Sequence, residues 1–247
     1  MNFTIHPKRV ARFLLNLGFI LAFMSLIGQV VRYFLNLPVP SKISSRIIYL
    51  LNIDQEYNIP TFYSATLLLI CAALLFFIGF IEKDRRRNDS FYWTSLSFIF
   101  IYLTIDELFE FHEAVNEIIL QNVTLTSAKG PWEVLGLFLV AIFALFYARF
   151  FYKMPQKIKS LCFLAAVLFL IGSTVIEILG VHFFPSIYHQ NLFVSEVITT
   201  IEEMLEIAGT CTFIYALLLY ASSLIDSLHL KFASQSLKRI SKESVRI

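Results

Sequence analysis

Six stretches of the chain are apolar almost throughout, at roughly 12–36, 61–81, 91–118, 132–152, 160–180 and 197–224, and each approaches or exceeds the ~20 residues a helix needs to cross a ~30 Å hydrocarbon core. Charged, polar and proline-bearing segments separate them. The pattern predicts an all-α fold, a polytopic transmembrane helix bundle with about six spans. Between the first two spans, Lys42 and Arg46 alternate with Ile43, Ile47, Ile48 and Leu50 over residues 41–51. That segment is too short to span and reads as an amphipathic helix lying at the interface. Pro38, Pro40 and Pro60 bracket it, as helix breakers should. The expected organisation is a single transmembrane bundle over residues 1–226 and a basic cytoplasmic tail over 227–247.

Composition agrees with the pattern. Hydrophobic residues make up 57% of the chain and charged residues 15%, which is more apolar surface than a soluble domain of 247 residues can bury. Phe, with 26 copies, suits both lipid-facing surface and packing between helices. The N-terminal Lys8, Arg9 and Arg12 before an apolar run resemble a signal peptide. The run is too long for a signal core and has no clear small-residue cleavage site, so it reads as a retained first span. Cys71, Cys162 and Cys211 lie far apart inside apolar runs and read as packing residues.

Charge sets the orientation. With both termini cytoplasmic, the inner side collects Lys8, Arg9, Arg12, Lys83, Arg85, Arg86, Arg87, Arg149, Lys153, Lys157, Lys159, Lys231, Lys238, Arg239, Lys242 and Arg246. The outer side keeps only Arg32, Lys42, Arg46 and Lys129. This is the asymmetry expected of a plasma-membrane protein with an even number of spans. Trp93 and Trp132 fall near span ends, where interfacial aromatics belong. The topology accounts for the basic residues, so nucleic-acid binding has no support.

The acids do not follow the span ends. The third span closes on a run containing Asp106, Glu107, Glu110, His112 and Glu113; the fifth carries Glu177; the sixth carries Glu202, Glu203 and Glu206. At ~1.5 Å per residue, Asp106 and Glu177 lie ~22 and ~25 Å from the cytoplasmic ends of their spans. Glu202 to Glu206 lie roughly 8–14 Å below the outer end of theirs. All three segments thus place their acids in the outer half of the membrane. On one continuous third helix, Asp106, Glu110 and Glu113 share a face with Tyr92, Ser95 and Tyr102, while Glu107 points about 100° away. On the sixth, Glu202, Glu203 and Glu206 share an arc with Thr199, Gly209 and Thr210.

A lone ionised carboxylate near the bilayer centre costs several kcal/mol. Protonation, a basic partner or a bound cation relieves that cost. Arg32 and His112 are the only clear basic partners in the sequence, too few for the set. Asp106, Glu107, Glu110, His112, Glu113, Glu177, Glu202, Glu203 and Glu206 are therefore the candidate ligands of a cation, which the oxygen-rich donor set would make Ca²⁺, Mg²⁺, Mn²⁺ or iron rather than zinc. No Glu-x-x-His pair occurs, which weakens a di-iron reading. Asp54 and Glu56 read as solvated loop residues near the same mouth, and His182 and His189 as interfacial histidines.

Two short motifs, Asp106-Glu107 with His112-Glu113 and Glu202-Glu203 with Glu206 and Gly209, resemble those of a broad family of uncharacterised bacterial polytopic membrane proteins. The lead-in from Asn52 to Thr61 is similar to that family's as well. The resemblance implies a bacterial plasma (inner) membrane protein and implies no activity.

Three functions fit the residues. The first is an integral membrane protein with a carboxylate-rich cation- or proton-binding site in the outer half of the bilayer, with ion transport as its use. Against transport, the polar stripe thins in the cytoplasmic half. The second is a metal-dependent membrane enzyme acting on a lipid or lipid-linked substrate, with Glu or His112 as base. The third is a structural or sensory membrane protein. The expected partners are the lipid bilayer and a cation or lipid ligand.

Overall fold

A computed structural model describes residues 6–33, 42–84, 89–111, 115, 131–176 and 192–243 of the chain. Helices occupy all six apolar segments. They are α1 (Pro7–Tyr33), α3 (Ile59–Asp84), α4 (Ser90–Phe109), α5 (Pro131–Tyr152), α6 (Gln156–Leu170) and α7 (Leu192–Glu243). A ten-residue helix, α2 (Lys42–Leu51), fills the short segment between α1 and α3. α6 continues as a π-helical turn over Ile171–Ile176. The described residues contain no strand. Four helices are long and apolar enough to cross a membrane by length and composition: Pro7–Tyr33, Ile59–Asp84, Gln156–Ile176 and Leu192–Ile225. The chain is a multi-pass α-helical membrane protein.

Their surface is that of a bundle in lipid. Phe13, Phe23, Phe62, Phe80, Phe98 and Phe163 are each more than 60% exposed. A water-soluble protein rarely displays so much large apolar surface. The core is made by α7, which packs against α1, α3 and α6, while α3 and α4 form a tight antiparallel pair. Small hydroxyl residues stitch that pair: Ser90 Oγ donates to the Gly79 carbonyl at 2.8 Å and Ser97 Oγ to the Ala72 carbonyl at 2.8 Å. Such residues let membrane helices approach closely while satisfying their own polar groups.

The packed seam of α7, half-buried at Glu203 and buried elsewhere, recurs at alternating steps of three and four residues: Glu196, Thr200, Glu203, Ile207, Thr210, Ile214, Leu217, Ala221 and Leu224. That spacing is the 3.5-residue repeat of a helix packed along its length against neighbours. The seam is aliphatic toward its C-terminal end and acidic and hydroxylic toward its N-terminal end. Cys71, Leu75, Leu96, Ile214 and Leu217 are at most 1% exposed and make a dry layer below the acids.

Several details differ from the expectations. α4 ends at Phe109 instead of running on to residue 118, because Glu110 adopts the left-handed conformation (φ 54°) and its N–H caps the Asp106 carbonyl. Trp93, in the first turn of α4, is buried between helices, stacked on Tyr220 at 4.9 Å and edge-on to Phe150 at 5.0 Å. α7 stays helical to Glu243, well past the expected end of its span. The three cysteines are free and buried.

Candidate functional site

The site is built at the face reached by the C-terminal end of α1, here the distal face. Its first wall is the loop between α2 and α3. Asn52 Oδ1 accepts from Ser25 Oγ (3.2 Å) and from the Asp54 N–H (3.1 Å), and Ser25 Oγ in turn accepts from the Ile53 N–H (2.9 Å). Asn58 Nδ2 donates to the Asn52 and Gln55 carbonyls, each at 2.6 Å. Asn58 Oδ1 accepts the Thr61 N–H at 3.1 Å, the N-cap contact that starts α3. Tyr57, inside the loop, has φ 54°. A non-glycine residue holds this conformation only where its surroundings fix it. The loop is thus anchored in α1 and presents Asp54 at a set position.

α7 supplies the second wall. Gly18 of α1 faces Ile207, and the Tyr33 and Phe193 rings meet at 6.3 Å, so α1 and α7 run antiparallel in a fixed register. That register brings Ser25 level with Thr200 and Gln29 level with Glu196. Glu196 is buried, engages the Asn52 side chain, and lies within electrostatic range of Asp54 and Arg32. One to two turns on, Glu203 has Glu107, Glu202 and Asp54 around it. Carboxylates from α4, α7 and the loop therefore share one layer.

The third wall is the π-helical turn of α6. Its Gly172 sits so close to α7 that a Cβ there would lie 2.6 Å from the Glu202 carbonyl oxygen and 2.9 Å from Glu206 Cγ. Gly209 makes the reciprocal approach: a Cβ there would lie 2.8 Å from the Ala165 oxygen and from the Phe169 nitrogen. π-helical turns inside α-helices are often found at functional sites. Here the turn abuts the backbone and Cγ of the residues that carry the acids.

At the base of the layer, Glu107 and Glu206 line a cavity of about 20 Å³ together with Ser64, Phe169, Thr210 and three aliphatic side chains. That volume holds about one water molecule. Thr210 Oγ1 donates to the Glu206 carbonyl at 2.9 Å.

The structure sorts the predicted residues. Glu107, Glu202, Glu203 and Glu206 come together. Glu107 is the inward residue of its helix, following Trp93, Ser97, Phe100 and Thr104 on the packed face of α4. The Tyr92–Ser95 face turns instead to α5, where Ser95 Oγ and Tyr147 Oη meet at 2.8 Å. Asp106 lies near Tyr102, which is half exposed, and Glu110 caps α4. His112, Glu113 and Glu177, like His182 and His189, lie outside the described residues. Among the described residues no group of three His, Cys, Asp or Glu side chains gathers to hold a metal ion. Glu196 was not anticipated, and Asp54 belongs to the layer rather than to solvent alone. Stepping back along α7 by fours and threes from Glu203 would have reached Glu196.

A family model described as a domain of unknown function, DUF8692, matches residues 19–221. The chain belongs to the DUF8692 family. The match runs from α1 into the C-terminal half of α7, so the DUF8692 domain includes every wall of the site. No curated protein and no solved structure matches the chain.

Proposed function

We propose that this DUF8692 protein binds a proton or small cation in the outer half of the membrane, with Glu107 and Glu206 as the central pair. The observation that carries the reading is the water-sized cavity those two carboxylates share, with the Ser64 and Thr210 side chains beside them. Two carboxylates on one small cavity in a low-dielectric surrounding favour a proton or cation held between them. Ca²⁺ takes roughly six to eight oxygens, and Mg²⁺ demands near-octahedral geometry. The described donors are two carboxylates and two hydroxyls, a set better suited to a shared proton with one water. Glu203, Glu202, Glu196 and Asp54 extend the negative field toward the distal face and would gather cations from that side.

In this reading the chain makes six passes, with α4 and α5 as the remaining two. The asymmetry of basic residues supports cytoplasmic termini and a distal face outside. The membrane is the plasma membrane of a bacterium, as the sequence resemblance implies. The dry layer of Cys71, Leu75, Leu96, Ile214 and Leu217 separates the acids from the cytoplasmic side, which favours one-sided binding over an open pathway.

Infrared titration of the purified protein tests the proposal, with metal analysis alongside. A carboxylic-acid band that titrates in the wild type and disappears in both Glu107→Gln and Glu206→Gln supports it. A spectrum with the same titrating band in all three proteins contradicts it.

A further inference from the structure

A second cavity lies at the distal face, outside the Glu107–Glu206 pair. About 290 Å³ of space opens between the last turn of α1 and helix α2, lined by Arg32, Ser45, Ile48, Tyr49, Asn52 and Gln55. Pockets that hold small molecules run from roughly 300 Å³ upward, so this one suits a small ligand or the head of a larger one. Among the described lining residues the single formal charge is the Arg32 guanidinium; four of the others are neutral and polar.

The wall is held before any ligand arrives. Arg32 lies 5.3 Å from the centre of the Tyr33 ring, a contact that leaves the edge donors of its planar fork available. Tyr49 Oη donates to the Glu56 carbonyl at 2.9 Å, and Asn52 is fixed by Ser25 and the Asp54 N–H. Glu196 engages Asn52 and shares the field of Arg32 without lining the cavity. Pre-set donors of this kind lower the ordering cost of binding.

The surroundings identify the ligand's other end. Ile27 and Val30 on α1 and Ile47 on α2 are exposed, and α2 separates its basic from its apolar residues as interfacial helices do. A positive, polar cavity built against an amphipathic helix of a membrane protein fits a molecule with an anionic head and a hydrocarbon body. The geometry points to a phosphate ester carried by a membrane lipid, its phosphate taken by Arg32 in the bidentate manner that guanidinium favours. A soluble phosphate ester shares the head chemistry but has no hydrocarbon body to lie along the apolar face of α2. This inference does not depend on the cation reading.

The test is thermal unfolding and native mass spectrometry of the full chain, delipidated in detergent. Short-chain phosphatidic acid, glycerol phosphate and diacylglycerol are added in turn. Phosphatidic acid should bind and raise Tm, and diacylglycerol should not. Arg32→Gln should weaken that binding roughly tenfold or more, as loss of a charge-assisted contact does. Gln55→Leu, on the cavity's other wall, should weaken it too and serves if Arg32→Gln fails to fold. Arg46→Gln, outside the cavity, should leave it unchanged. Equal shifts with diacylglycerol, or wild-type binding by Arg32→Gln and Gln55→Leu, would overturn the proposal. Glycerol phosphate binding as tightly as the lipid would overturn the lipid as the source.

Discussion

Glu107 on α4 and Glu206 on α7 line one cavity the size of a water molecule, although they lie 99 positions apart in the chain. Three local features hold that relationship: the tight α3–α4 pair, the 3.5-residue seam of α7 and the glycine contacts between α6 and α7. The packing around the site gives predictions that do not depend on the site's use.

Gly172→Ala should destabilise the bundle by about 1–3 kcal/mol, the cost of forcing atoms into a packed interface. The added methyl group would press on the Glu202 carbonyl, which is backbone and cannot swing away. Gly136→Ala meets nothing within 4 Å and should be neutral or stabilising by up to ~1 kcal/mol. Thermal unfolding of both variants in the same detergent checks the pair; equal effects would contradict the close approach.

Ser25→Ala should loosen the Asn52–Asn58 loop. Its hydroxyl both accepts from Ile53 and donates to Asn52, so its loss costs about 1–3 kcal/mol at a buried site. Hydrogen exchange should rise at the Ile53 amide. Unchanged exchange there would show that the loop is held by other contacts.

α7 also carries a polar contact to a buried acid far from the site. Tyr220 Oη donates to Glu82 Oε1 at 2.9 Å, and Glu82 is fully buried. Tyr220→Phe removes this one donor and should lower stability by about 1–3 kcal/mol. Its stacking on Trp93 should survive, so near-ultraviolet dichroism should change little. A large dichroism change with no loss of stability would reverse the assignment.

At alkaline pH, Glu203→Gln should raise Tm. The neutral amide removes like-charge repulsion from Glu107, Glu202 and Asp54 while keeping the side chain's shape. A variant that unfolds below the wild type at every pH would mean that the Glu203 charge is compensated.

The helices were legible because apolar runs of span length have few alternatives in a bilayer. The phase of α4 was not. A polar stripe through Tyr92, Ser95, Tyr102 and Asp106 looks inward by composition, but in lipid the small and hydroxyl residues that allow close packing, Ser97 and Thr104, choose the contact face. Glu107 follows them. The break at Glu110 was hidden for a related reason: glutamate is an ordinary helix former, and nothing local marks it as a left-handed cap. The loop's role was hidden because Asn52, Asp54 and Asn58 resemble any polar turn until Ser25, 27 positions earlier than Asn52, is brought beside them.

The most direct test of the shared site is a double-mutant cycle on Glu107 and Glu206, read as the number of protons or cations bound per chain. In the proposed reading the two carboxylates share one proton or cation, so Glu107→Gln and Glu206→Gln should each abolish the same binding event. The double variant should lose nothing further. Additive losses, with each single variant keeping half the binding, would show two independent carboxylates and contradict a shared site.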